Sequence, residues 1–156
     1  MRKIFTFIVT AAFCLTGAAK TADEVITDLE KATGAQVIHF NKEMITAQMG
    51  KAKDKDLGMF ENILNGCVLI IEDTDKVKTD RFNGLIGELD DAAYEPLLTV
   101  FDDDDRVKVL GRSEGETVKE IVIAVTDNED CVMVYLKGDI PKDKISQIVN
   151  DKTMKF

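Results

Sequence analysis

Apolar positions along this chain switch between two periods. In "TADEVITDLEKATG", residues 21–34, Val25, Ile26, Leu29 and Ala32 recur at helical spacing, which sets them on one face of a helix. Thr21 and Glu24 form a capping-box pattern ahead of that helix, and Gly34 is placed to end it in the left-handed conformation. "AQVIHF" reads as a short strand. Asn41 then caps a helix carrying Met44, Ile45 and Met49. After the polar connector "GKAKDKD", the stretch "LGMFENILNG" predicts another short helix, with Met59, Phe60, Ile63 and Leu64 apolar. "CVLIIED" is apolar on both parities, which suits a central strand covered on both faces. Asp75 to about Asp90 predicts the main helix, with Val77, Phe82, Leu85, Ile86 and Leu89 as its buried stripe.

Four strands follow in close succession: "LLTVF", "RVKVLG", "VKEIVIAV" and "CVMVYLKG". Their connectors "DDDD", "RSEGET" and "TDNED" are short, so the strands form an antiparallel meander. Pro96 opens the first of them at a position an edge strand tolerates. "IPKDKISQIVNDK" closes the chain as a helix with Pro141 in its first turn and Ile145, Ile148 and Val149 inward. The fold class is α+β: a mostly antiparallel sheet ending in a four-strand meander, with helices packed mainly on one face. Alternation in the meander assigns Val107, Val109, Ile121, Ile123, Val125, Val132, Val134 and Leu136 to the core. Arg106 and Lys108 then fall on the other face, as do Cys131, Met133, Tyr135 and Lys137.

The first residues read differently. Arg2 and Lys3 precede the apolar run "IFTFIVTAAFCLTG", and "TGAAK" offers a cut after Ala18 or Ala19. This is the pattern of a cleaved secretory signal, residues 1–19, ahead of a single domain over residues 20–156. The run is shorter than the ~20 apolar residues that span a bilayer, so no integral membrane segment is expected after processing. Cys14 raises lipid anchoring as an alternative, but Phe13 and Ala11 stand where that processing prefers a small residue and a leucine. The expected localisation is exported, periplasmic or secreted.

Composition narrows the partners. Of 156 residues 45% are hydrophobic, enough for one sizeable core, and the formal charge of −9 becomes −11 when Arg2 and Lys3 leave. Such a surface is wrong for nucleic acid and for anionic lipid. Two cysteines remain after processing, Cys67 and Cys131, each opening an apolar run. They are expected as unbridged, buried hydrophobes.

Candidate chemistry is sparse. The one histidine, His39, lies between Ile38 and Phe40, and no nucleophile or orienting carboxylate is marked by spacing around it. A partly buried structural role is the expectation. "LGRSEGET" lacks the P-loop lysine. Lys42, Lys51, Lys53 and Lys55 read as a solvated face, and Met44, Met49 and Met59 as core or an adaptable apolar groove. The run Asp102–Asp105 fits no EF-hand register, because Arg106 or Val107 falls at the fifth position. It reads as a hairpin turn. In a meander the first and third turns share one end, which brings Asp127, Glu129 and Asp130 toward Asp102, Asp103, Asp104 and Asp105. A helical crossover after Glu72, Asp73 and Asp75 makes that strand parallel to "LLTVF" and sets a third acidic group beside these two. The seven residues of the two turns are the candidate ligands for a divalent cation of the calcium type.

Three segments also carry a resemblance. "VIHFNKEMI", "AAYEPLLTV" and "VKEIVIAVTDNEDCVMVYLKGDI" resemble, in order and spacing, family 4252 of the domains of unknown function, small exported proteins of Gram-negative bacteria. Asn41 and Ala93 depart from that family's usual serine and glycine. The resemblance implies an exported α+β domain without an assigned activity, a cofactor or catalytic residues, and its usual gene neighbourhood suggests envelope signalling. The sequence therefore predicts a non-enzymatic domain that binds a protein partner in the cell envelope. Cation binding at the acidic turns and an enzyme with an unrecognised site stand as alternatives.

Overall fold

The computed structural model describes residues 20–49, 62–89 and 91–145. The signal pattern, the "GKAKDKD" connector, Met59, Phe60, Ile148 and Val149 lie outside them. Helix α1 (Ala22–Thr33) begins where Thr21 caps it, its hydroxyl accepting the Glu24 N–H at 3.3 Å. Gly34 ends it at φ 67°, donating its N–H to the Glu30 carbonyl at 3.0 Å. Its buried face is Ala22, Val25, Ile26 and Leu29; Ala32 is exposed. Strand β1 (Gln36–Asn41) leads into α2 (Lys42–Met49), where the Asn41 side chain accepts the Met44 N–H at 2.9 Å.

Strand β2 (Ile63–Ile71) starts earlier than its sequence suggests. Ile63 and Leu64 belong to it, not to a helix. Pairing decides the matter: Gly66 lies opposite Phe40 on β1 and Leu136 on β6 (Cys131–Pro141). A Cβ there would stand 2.7 Å from the Phe40 ring and collide with the Tyr135 carbonyl oxygen. The Asn65–Gly66 pair, which looks like a helix stop, is a point of close strand approach. Helix α3 (Lys76–Gly87) follows, capped by Asp75, which accepts the Lys78 N–H at 2.8 Å. Phe82, Leu85, Ile86 and, just past its end, Leu89 are buried, whereas Val77 is 76% exposed.

Strands β3 (Glu95–Asp102), β4 (Asp105–Glu114), β5 (Thr117–Thr126) and β6 form the meander. The six strands make one antiparallel sheet in the order β1-β2-β6-β5-β4-β3. Alternation of direction makes β2 run the same way as β3, as expected, although three strands separate them. After β6 the chain turns helical at residues 142–145, and Ile145 is buried.

The sheet has two apolar faces, and the expected one is not the face under the helices. Cys67, Leu69, Ile71, Leu110, Val122, Ala124, Cys131, Met133 and Tyr135 pack with the buried residues of α1 and α3 in the main core. The parity assignment separated the two sets correctly but inverted them. Val109, Ile121 and Ile123 are buried in a second, smaller cluster on the opposite face, with Ile45 and Ile145; Val107, Val125, Val134 and Leu136 are only half-covered there. Both sets are apolar, so alternation alone cannot choose between them. The helices settle on the face carrying small Cys67, Ala124 and Cys131 beside large Met133 and Tyr135.

Both cysteines are free and buried. Cys67 pairs with Tyr135 and Cys131 with Ile71, so four residues of strand, about 13 Å, separate them. A disulfide needs Cα atoms within about 7 Å. Burial raises the thiol pKa of both, to about 11 for Cys67, which makes them inert.

The placement of the main core under the helices has a measurable consequence. Met133→Ala removes a fully buried side chain and should cost about 2–5 kcal/mol in denaturant unfolding, while Val134→Ala on the half-covered face should cost about 1 kcal/mol. Equal losses, or the reverse order, would contradict the placement of the main core.

Candidate functional site

Polar chemistry concentrates at two places in this sheet. The first lies inside the main core. Glu120 on β5 shares parity with Val122 and Ala124, so its side chain turns toward the helices; its neighbours across the sheet are Arg112 and Lys137. The residue is 8% exposed. Tyr135 donates to its Oε1, Tyr94 donates to the same atom at 2.9 Å, and Arg112 Nε donates to Oε2. Tyr94 comes from the segment between α3 and β3, and its hydroxyl accepts the Ala22 N–H at 3.1 Å. A path of hydrogen bonds thus runs from the first turn of α1 through Tyr94 to the centre of the sheet.

These donors set the ionisation of the cluster. Burial pushes the Glu120 carboxyl up, but Tyr135, Arg112 and Tyr94 together outweigh it and hold the group below the usual carboxylate range. Burial, reinforced by the Glu120 charge, pushes the Tyr94 phenol up to about 12 and raises that of Tyr135 as well. At neutral pH the cluster is one carboxylate held by two protonated phenols and a guanidinium. A cleft of about 710 Å³ opens above it, lined by Lys20, Asp23, Lys119, Lys137 and Asp139 among others. Its lysines are already paired: Lys137 with Asp23 at 3.1 Å and Lys119 with Asp139 inside the cleft, and Lys20 with Asp28 and Glu88, at 2.8 Å each, beyond its lining. The cleft therefore offers no uncompensated charge to a ligand.

The second place is the end of the sheet where β2, β3 and β5 finish. There the three acidic groups do come together. The Thr74 N–H donates to the Glu129 carbonyl at 2.7 Å, and Asn128 Nδ2 donates to Asp104 Oδ2 at 3.2 Å. Three of the carboxylates, Asp75, Asp104 and Asp127, already accept hydrogen bonds within the fold. Asp127 Oδ1 accepts the N–H groups of Glu129 and Asp130, both at 2.7 Å; those of Asp130 and Glu129 hold its pKa below the usual range. Repulsion alone would have raised it. Asp75 caps α3. Asp103 takes a φ of 51° at the first of the two loop residues, the left-handed position that favours glycine. Among the described residues, no three His, Cys, Asp or Glu side chains form a group that could hold a metal ion. A cleft of about 270 Å³ nearby has Arg106 in its lining with Asp104 and Asp127. His39 is exposed on edge strand β1 opposite Cys67, not partly buried.

The family model described as "Domain of unknown function (DUF4252)" matches residues 29–148. The chain belongs to this family. Comparison with curated proteins and with solved structures gave no match. In this DUF4252 domain Tyr94, Arg112, Glu120 and Tyr135 all lie within the matched span, whereas Ala22 precedes it. Among its described residues, no helix is long and apolar enough to cross a membrane.

The acidic turns were readable from strand order. The Glu120 cluster carries a fainter signal in the sequence. Glu120 interrupts the apolar run "VKEIVIAV", and the two tyrosines of the chain both serve it. A buried acid needs donors, but only tertiary contact reveals which ones.

Two outcomes follow from these geometries. Because the folded-state pKa of Glu120 is depressed, its contribution to stability is complete above the ordinary value of 4.5 and is lost as pH falls through the folded value. Glu120→Gln should lower stability at pH 7 by about 1.5–3 kcal/mol, the scale of hydrogen bonds to a charged group, and should flatten the acid side of the stability profile; unchanged stability and acid slope would remove the cluster from the folding energetics. At the acidic end, Asp103→Asn with Asp104→Asn should raise stability by roughly 0.5 kcal/mol and weaken its increase with sodium chloride, and identical melting curves across salt would show that the turns do not share a field.

Proposed function

We propose that this domain is exported and acts in the cell envelope as a non-enzymatic module that binds a protein partner, in a signalling context. The observation that carries the reading is the exposed apolar surface of edge strand β3, where Val100 is 42% and Phe101 67% exposed. A largely exposed aromatic on a sheet edge is a contact feature. The commitment of Glu120 supports the non-enzymatic half: a carboxylate with a depressed pKa and three donors is a weak base, and protonated buried phenols are poor nucleophiles. Export rests on the N-terminal pattern of Arg2, Lys3 and the apolar run before Ala19.

The test is photo-cross-linking in cells that express the full chain. A benzophenone side chain at position 101 should give a discrete adduct with an envelope protein, carried by protein whose N-terminus is Ala19 or Lys20; the same probe at Val77, exposed on α3, should not. Absence of any adduct from position 101, or equal adducts from both positions, would overturn the reading.

A further inference from the structure

We propose that the outer edge of β3, from Leu98 to Asp102, takes up an extended peptide of the partner protein as a seventh strand. This peptide alternates apolar with polar residues and carries lysine or arginine at the end that meets the Asp102–Asp105 turn. The inference rests on the protein-binding reading and adds the place and chemistry of contact.

Among the described residues β3 is the last strand of the sheet and pairs only with β4. Asp102 and Asp105 close a two-residue loop, which makes them a hydrogen-bonded pair. By alternation Val100 and Leu98 bond to β4, and Thr99 and Phe101 turn their backbone N–H and C=O outward. Thr99, Val100 and Phe101 are all exposed. Edge strands are ordinarily guarded by charge or proline. Here "LLTVF" has neither between Pro96 and Asp102. Val100 lies opposite Val107 and Phe101 opposite Arg106, so the two side chains stand on opposite faces and give an added strand an apolar neighbour on each. The start of the strand is closed to pairing by Pro96 and by the register break before Leu98. The far edge, β1, runs straight into α2 at Asn41–Lys42.

Charge chooses the partner. Asp102–Asp105 stand at the open end, and the Asn128–Asp104 bond draws the Asp127–Asp130 turn against them. The cations facing this edge are Arg106, whose guanidinium lies 5.0 Å from the centre of the Phe101 ring, and Lys108 opposite Thr99. The acidic excess favours a basic peptide end. A second copy of this chain is a poor occupant. Two open stretches paired antiparallel about Val100 would set Leu98 against Asp102 twice, and neither carries a cation to meet the other's acidic turn.

The experiment is a titration of the full protein, followed by two-dimensional NMR, with a short blocked peptide of alternating valine and threonine bearing two lysines at one end. Saturable shifts at the Thr99 and Phe101 amides, with slowed exchange there, are expected. Glutamates in place of the lysines should weaken binding by about tenfold or more at low salt. Thr99→Pro removes an outward donor without breaking the β4 ladder and should also weaken binding at an unchanged melting temperature. Phe101→Ser, which keeps every backbone donor, should do the same and stands in if the proline variant does not fold. Binding unaffected by these variants, no shift along β3, or a dimer that Thr99→Pro dissociates would overturn the proposal, the last by assigning the edge to a second copy. If Thr99→Pro protein still cross-links its envelope partner from an exposed site, protein binding stands and the edge is not its place. If neither peptide nor partner binds, both readings fall.

Discussion

The buried carboxylate of Glu120 is the constraint around which the core is organised. A charge in an apolar interior is tolerated only when donors replace the water it has lost, and here they come from three separate parts of the chain. Arg112 arrives on β4, Tyr135 on β6, Tyr94 on the segment before β3, and Tyr94 in turn accepts the first free N–H of α1. Each of these elements is thereby held to the same point of the sheet. A shift of α1 or of the segment carrying Tyr94 would strand a buried anion, so the polar cluster specifies how the helix layer sits on a sheet that apolar contact alone would let slide.

That organisation leaves the proposed contact surface elsewhere. The helix-covered face is closed by α1 and α3, and the cleft above Glu120 is neutralised by its own ion pairs. The opposite face is apolar but partly covered around Ile123 and Val109. What stands open is the β3 edge with Val100 and Phe101, and beside it the end of the sheet where three acidic segments meet. Those carboxylates serve first as structural acceptors: Asp127 folds its own turn, Asp75 starts α3, and Asp104 receives Asn128. Their summed charge is a field on one edge of the molecule, which in our proposal selects a basic partner.

Much of this could be read from local pattern. Caps and periodicity located α1, α3, the meander and its turns, because a helix start needs a side-chain acceptor and a hairpin needs a short polar loop wherever they occur. Strand direction followed from connector length, and with it the meeting of the acidic groups at one end. Local pattern misled where two interpretations were equally apolar. Ile63 and Leu64 suit a helix or a strand, and the pairing of Gly66 with Phe40 and Leu136 made them a strand. Cys131, Met133 and Tyr135 compete with Val132, Val134 and Leu136 for the core.

By itself, then, the sequence determined most of the elements, their order, the antiparallel connections of the meander and the acidic end, since each depends on residues close together in the chain. Only the tertiary structure decided which sheet face the helices cover, which donors complete Glu120 and which strand is left as an open edge. Those depend on contacts between residues far apart in sequence, such as Ala22 with Tyr94 and Tyr135 with Glu120, and a buried charge or an unpaired edge has no meaning until the distant partner that satisfies it, or fails to, is in place.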